Sequence, residues 1–239
     1  HKNHLINCVV VSERTSGPYG TIQVGHGDSG GGSRVFNNII ICRVSTQYGV
    51  GTGLAYTDTA GEQSLIYNNT VYGTFTICGF YVESWGSGGL PHPVYGDHYK
   101  NNLIVNLHPT APDALFGSSN NNSQFGFFNN AGYCASGSTL GSSNGNKILT
   151  SASDLFINTT LGEEDLHPRW NAPIINAGAG TDTPPAGNEI FYVPATDIDD
   201  QERFGIPRYG EAFACDTGAA QVKRQPKTTK IILTRYPNV

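Results

Sequence analysis

The sequence predicts an all-β protein: a right-handed parallel β-helix of about five coils with a loop-rich C-terminal closing region. Three observations lead there. Runs of Ala, Leu, Glu and Lys are scarce, while Gly accounts for 30 of the 239 residues and short Val, Ile, Tyr, Phe and Thr runs sit between Gly and Asn. A polar pair followed by an apolar run recurs at intervals of roughly 30 residues, the signature of a solenoid. The recurring segments also lack the 3.6-residue pattern of helical repeats.

The copies begin at Asn3-His4 (before LINCVVV), Asn37-Asn38 (before IIICRV), Asn68-Asn69 (before TVYG), Asn101-Asn102 (before LIVN) and Asn129-Asn130 (before AGYC). Aligned on the first Asn, one column reads Cys8, Cys42, Gly73, Asn106, Cys134, and another reads Ile6, Ile40, Val71, Ile104, Gly132. Coils stacked at the strand spacing of about 4.8 Å place like residues on like residues. Asn suits the turns because it tolerates the left-handed conformation and its amide bonds to equivalent amides above and below. Three further runs, GTIQVG, GTGLAY and ICGFYV, are expected to form another face of the same coils. Coils are assigned to residues 1–150, the closing segment of the same domain to 151–222, and a strand-like tail to 223–239.

Composition bounds the function. Net charge is −5, charged residues are 14% and basic residues are sparse until the C-terminus, which argues against a nucleic-acid partner. No apolar run approaches the roughly 18 residues of a membrane span. The chain opens at His1 and has no Met, as expected of a processed or excised piece. The five cysteines (Cys8, Cys42, Cys78, Cys134, Cys215) form no CxxC pair and no zinc-spaced cluster. Neighbouring coils would bring Cys8 within disulfide reach of Cys42, but stacked side chains run parallel, so reduced structural thiols are expected.

Beyond residue 150 the text changes to Asp154-Leu155-Phe156-Ile157-Asn158, Asp165-Leu166-His167, Asn171-Ala172-Pro173-Ile174-Ile175-Asn176-Ala177-Gly178, then Asp197 to Arg203, then Asp216-Thr217-Gly218-Ala219-Ala220-Gln221. In that order it resembles the closing segment of secreted bacterial right-handed parallel β-helix (pectate-lyase-like) proteins, with Asn176 where Asp is usual and Gln221 where Glu is common. The resemblance implies that fold and a secreted or cell-surface setting. It implies no reaction, because the family includes polysaccharide lyases, epimerases, adhesins and non-catalytic surface proteins.

Sites were weighed residue by residue. Gly27-Asp28-Ser29-Gly30-Gly31 has the text of a serine-protease nucleophile loop, but only 28 residues precede Ser29, with Glu13 the sole acid before Asp28, so a connecting loop is expected. HPVYGDHYKNN (His92 to Asn102) is the best polar cluster. In a lyase, Lys100 (or His98) would remove the proton beside a uronate carboxylate and Asp97 would help hold a cation. Without catalysis, Trp85, Tyr95, Asp97 and Tyr99 would form a polysaccharide-binding surface. Asp197, Asp199 and Asp200 are the candidate calcium ligands, against a structural turn in which Arg203 pairs with an Asp. No other cofactor is expected. Asn68, Asn121 and Asn158 head glycosylation sequons.

The tail KTTKIILTRYPNV (Lys227 to Val239) carries a β-prone run, Thr228 to Thr234, expected either to pack on its own domain or to pair with another subunit. His1-Lys2-Asn3-His4 opens directly into a repeat strand, so either preceding coils are missing or a second subunit covers that end. The favoured function is therefore a structural or binding β-helix module, non-catalytic, self-assembling end to end into a homo-oligomer or filament through the N-terminal coil and the tail. The alternative is the C-terminal portion of a polysaccharide lyase acting on an acidic glycan.

Overall fold

The computed structural model of the protein describes residues 4–13, 22–24, 34–54, 65–84, 98–110, 116–118, 126–137, 145–169, 171–175, 178–179, 198–199 and 214–215. Among these residues there are strands and turns and no α-helix.

Two parallel sheets carry the repeat. The first runs β1 (His4–Ile6), β4 (Arg34–Phe36), β6 (Leu65–Tyr67), β8 (His98–Lys100), β11 (Gly126–Phe128). The second runs β2 (Val9–Ser12), β5 (Ile39–Leu54), β7 (Thr70–Ser84), β9 (Leu103–Asn106), β12 (Ala131–Cys134), β13 (Lys147–Ile148). Every neighbouring pair within them is parallel. Each strand of the first sheet is joined to its successor in the second by two residues, so both sheets repeat with the same register.

The joining pair turns the chain because its first residue is left-handed: Asn7, Asn37, Asn68, Asn101 and Asn129 have φ of 52–54°. They are the only non-glycine residues with positive φ among those described. Asn is the ordinary side chain best suited to that region. A sixth corner, Gly145-Asn146, uses glycine at φ 70°. Sequence reading missed it because Gly stands where Asn was sought and only 16 residues separate Asn130 from Asn146.

These corners correct the expected frame of the first repeat. Its corner is Asn7-Cys8, not Asn3-His4. Val10 pairs with Ile40, where Ile6 was expected, and Ser12 pairs with Cys42, where Cys8 was expected. The reason is geometric: the strand of the second sheet starts two residues after the left-handed Asn, so that Asn, and not the first polar residue, sets the register. The rest of the column, Cys42–Gly73–Asn106–Cys134, stacks as expected. Close stacking explains Gly73, where an added Cβ would meet the Cys42 carbonyl at 2.6 Å. Cys8, Cys42, Cys78 and Cys134 are thiols, none joined in a disulfide.

The secondary runs stack as well. β3 (Ile22–Val24) pairs with Val50–Thr52 of β5, those residues pair with Phe80–Val82 of β7, and β10 (Phe116–Ser118) pairs with the same stretch. β5 and β7 are long enough, at 16 and 15 residues, to supply two successive faces, with register shifts between Cys42 and Tyr48 where the path bends.

Alternation along the strands divides the apolar residues between two cores. Val35, Ile66 and Tyr99 of the first sheet meet Ile40, Val71 and Ile104 of the second, with Cys42, Val50, Phe75, Phe80 and Cys134 completing the inner core. The opposite face of the second sheet carries Ile39, Ile41, Leu103, Val105 and Ala131. It is buried under Leu149, Leu155, Phe156, Leu166, Ala172 and Ile174. That cover includes the hairpin of β14 (Phe156–Asn158) and β15 (Asp165–Pro168). The segment that follows the repeats thus folds back along their outer face, where Tyr72 meets Phe156 edge-on at 5.7 Å. β16 (Gly178–Ala179) pairs antiparallel with β17 (Ala214–Cys215). The Gly27–Gly31 loop and the 223–239 tail lie outside the described residues.

Candidate functional site

The second corner residue builds the polar spine of the molecule. Asn38, Asn69, Asn102, Asn130 and Asn146 stack as a ladder in which each side-chain amide donates to the carbonyl oxygen of the next. Asn38 Nδ2 to Asn69 Oδ1 is 2.9 Å, Asn69 to Asn102 is 3.0 Å, Asn102 to Asn130 is 3.0 Å and Asn130 to Asn146 is 3.3 Å. The second Nδ2 hydrogen goes to a main-chain carbonyl of the first sheet: Leu5, Val35, Ile66 or Tyr99, at 2.8–2.9 Å. Each Oδ1 also accepts the main-chain N–H of the preceding rung. The ladder therefore has a direction, and its first slot is taken by Cys8. The Cys8 N–H donates to Asn38 Oδ1 at 3.0 Å, but its thiol turns back to the Ile6 carbonyl at 3.3 Å. Asn106 plays a related part, its Oδ1 accepting from the Phe75 and His108 N–H groups while its Nδ2 donates to the Phe75 carbonyl.

The expected site residues fall unevenly. Trp85, Tyr95 and Asp97 lie outside the described residues. His98 and Tyr99 lie on β8, where Tyr99 points into the inner core at 0% exposure and packs edge-on against Phe80 at 5.5 Å. Lys100 is 1% exposed and pairs in register with Tyr67, itself buried and stacked on Phe36 at 5.5 Å. With its ring in the inner core, Tyr99 cannot present it to a polymer at the surface. Asn68, the first sequon residue, is also fully buried.

Of the expected calcium ligands, Asp199 is described and Asp197 and Asp200 are not. Asp199 Oδ2 contacts Nε2 of His167, and Asp165 Oδ1 contacts Nδ1 of the same ring. The two carboxylates approach from opposite ring nitrogens, so no single cation is shared by all three side chains, and neither nitrogen faces open solvent as a general base. Among the described residues no group of three or more His, Cys, Asp and Glu side chains is placed to hold a metal ion. The contact instead fastens turn 198–199 to β15, beside Ile198 in the outer core. In the sequence His167 stands within the closing text, and nothing in its spacing links it to Asp199.

A second fastening joins the hairpin to the first two rungs. Arg43 donates from Nε and Nη2 to the two oxygens of Glu164, at 3.1 and 2.9 Å, and from Nη1 to Glu13 at 2.6 Å. The bidentate geometry with Arg43 draws the Glu164 carboxyl down to about 2, helped by the N–H groups of Glu164 and Gly162, while the same contacts raise Arg43. Burial raises the Tyr72 hydroxyl, which a hydrogen bond with Thr159 partly offsets.

What remains open is the first rung. Among the described residues, β1 and β2 end their respective sheets. Val9 is 61% exposed, Ile6 45% and Val11 42%, whereas Ile39 and Ile41, their counterparts one rung on from Val9 and Val11, are 6% and 5% exposed. Two terminal strand edges with exposed apolar side chains form the candidate functional surface. No helix among the described residues is long and apolar enough to cross a membrane. Comparison with protein-family models, with curated proteins and with solved structures gave no match.

Proposed function

We propose that the chain is a right-handed parallel β-helix that serves as a secreted or cell-surface structural and binding module, and that it associates with itself through an end of the stack. Parallel pairing in two sheets, a fixed two-residue corner and the near-invariant right hand of parallel crossovers support the fold. The setting follows from the resemblance of the 154–221 text to the closing segment of secreted β-helix proteins. The observation that carries the function is the first rung, where Val9 and Val11 are 61% and 42% exposed while Ile39 and Ile41, their partners one rung on, are 6% and 5% exposed. The lyase reading is disfavoured by Lys100, which is 1% exposed, and by Tyr99, whose ring is in the core.

Incubation with pectate, alginate and glycosaminoglycans, with and without calcium, tests the assignment. Ultraviolet absorbance should detect no unsaturated product. Product formation that disappears in Lys100→Ala would overturn the non-catalytic reading and assign Lys100 as the base.

A further inference from the structure

We infer that Asn158 is an acceptor for an N-linked glycan, displayed at the turn of the β14–β15 hairpin. The inference rests on the secreted or cell-surface setting proposed above, in which an exported chain meets a lipid-linked sugar donor.

The structure separates the sequons. Asn68-Asn69-Thr70 cannot carry a sugar in the folded chain, because Asn68 is 0% exposed and a glycan is bulky and solvated. Asn121-Asn122-Ser123 lies outside the described residues. Asn158-Thr159-Thr160 opens the turn between β14 and β15, and every residue from Thr159 to Glu163 is exposed. The Glu163 N–H donates to the Thr160 carbonyl at 2.9 Å and closes the turn. At its tip Gly162 is left-handed at φ 89°, and a Cβ added there would meet nothing within 4 Å. Beside it Leu161 is 71% exposed, apolar surface that a sugar in the same turn can shield.

The hydrogen bonds of Asn158 are ones that a glycosylated asparagine keeps. Its Oδ1 accepts the Thr160 N–H at 2.9 Å, which ties the first and third residues of the sequon together, and its Nδ2 donates one hydrogen to the Glu163 carbonyl at 2.8 Å. A side-chain amide nitrogen carries two hydrogens, and among the described residues the second has no partner. Ladder amides such as Asn69 have both committed. Transfer consumes the spare one. A bond forms between Nδ2 and the anomeric carbon of the sugar, and the bond from that carbon to the lipid pyrophosphate breaks. The pyrophosphate leaves with the electron pair, and the Nδ2 proton passes to a base of the transferring enzyme. The product amide still has one N–H for Glu163 and its Oδ1 for Thr160, so the hairpin takes the sugar without losing either bond.

Peptide mapping of the chain recovered from the medium of the cells that make it reads the outcome. The expected result is an oligosaccharide on Asn158, removed by a peptide N-glycosidase that leaves Asp in its place. Thr160→Ala should lose the glycan and Thr160→Ser should keep it, since the sequon requires a hydroxyl at its third position. Thr159→Ala, at the unrestricted middle position, should keep it too. An unchanged circular dichroism spectrum shows that each variant folds. A bare Asn158 in secreted chain, or a Thr160→Ala chain that still carries the glycan there, would overturn the inference and leave the secreted setting standing. A chain that is bare and confined inside the cells would overturn both.

Discussion

Replacing Asn102 by Ala tests whether the amide ladder holds the stack together. Asn102 sits at the middle of the ladder and is fully buried. Its side chain makes four hydrogen bonds: Oδ1 accepts from the Asn69 N–H and Asn69 Nδ2, both at 3.0 Å, and Nδ2 donates to the Ile66 carbonyl at 2.8 Å and Asn130 Oδ1 at 3.0 Å. Each is worth about 1 kcal/mol net, and truncation also strands the Asn69 N–H away from water, so the loss should be about 3–5 kcal/mol. That is a large share of the roughly 5–15 kcal/mol that stabilises a domain. Urea unfolding followed by circular dichroism at neutral pH would show the midpoint falling with little change in slope. A loss below about 1 kcal/mol would refute the reasoning, because it would mean that the bonds across rungs are replaced by water at no cost.

Asn68 makes the opposite case. Its side-chain amide is buried with no hydrogen-bond partner in the structure, and its backbone is left-handed, so Asn68→Gly should leave stability equal or higher while Asn68→Ala costs about 1 kcal/mol in the same urea assay. Glu164→Gln should lower the melting temperature at pH 7. The depressed Glu164 carboxyl contributes stability that is complete above its ordinary value of 4.5 and is lost as pH falls towards about 2, so the variant's melting temperature should fall less steeply across that window. Cys8→Asn supplies the missing first amide of the ladder, able to donate to Asn38 Oδ1, and should raise stability by about 1 kcal/mol; a decrease would show that the Cys8 thiol's bond to Ile6 matters more.

Much of the repeat was legible because it is written in residues with narrow conformational or bonding preferences. Paired Asn residues marked four of the six corners, and the column from Cys42 to Cys134 followed from counting. The ends were less legible. In the first corner Cys8 replaces the ladder Asn, and in the last Gly145 replaces the left-handed Asn, so a search for Asn pairs shifted the frame at one end and stopped early at the other. Aromatic and charged residues at 98–100 looked like a surface cluster because a three-residue strand too short to show alternation hides which side chain turns inward.

The sequence by itself determined the all-β class, the period of the rungs and the tolerance of their corners for a left-handed residue, since these depend on local preferences repeated along the chain. Only the tertiary structure decided that the 149–174 segment folds back over the outer face of the second sheet, that Glu164 meets Arg43 and that Asp199 meets His167. Arg43 and Glu164 are 121 residues apart, and no local propensity links them. What joins them is an apolar sheet face that must be kept from water, and which segment covers it depends on where the chain lies once the rungs have stacked.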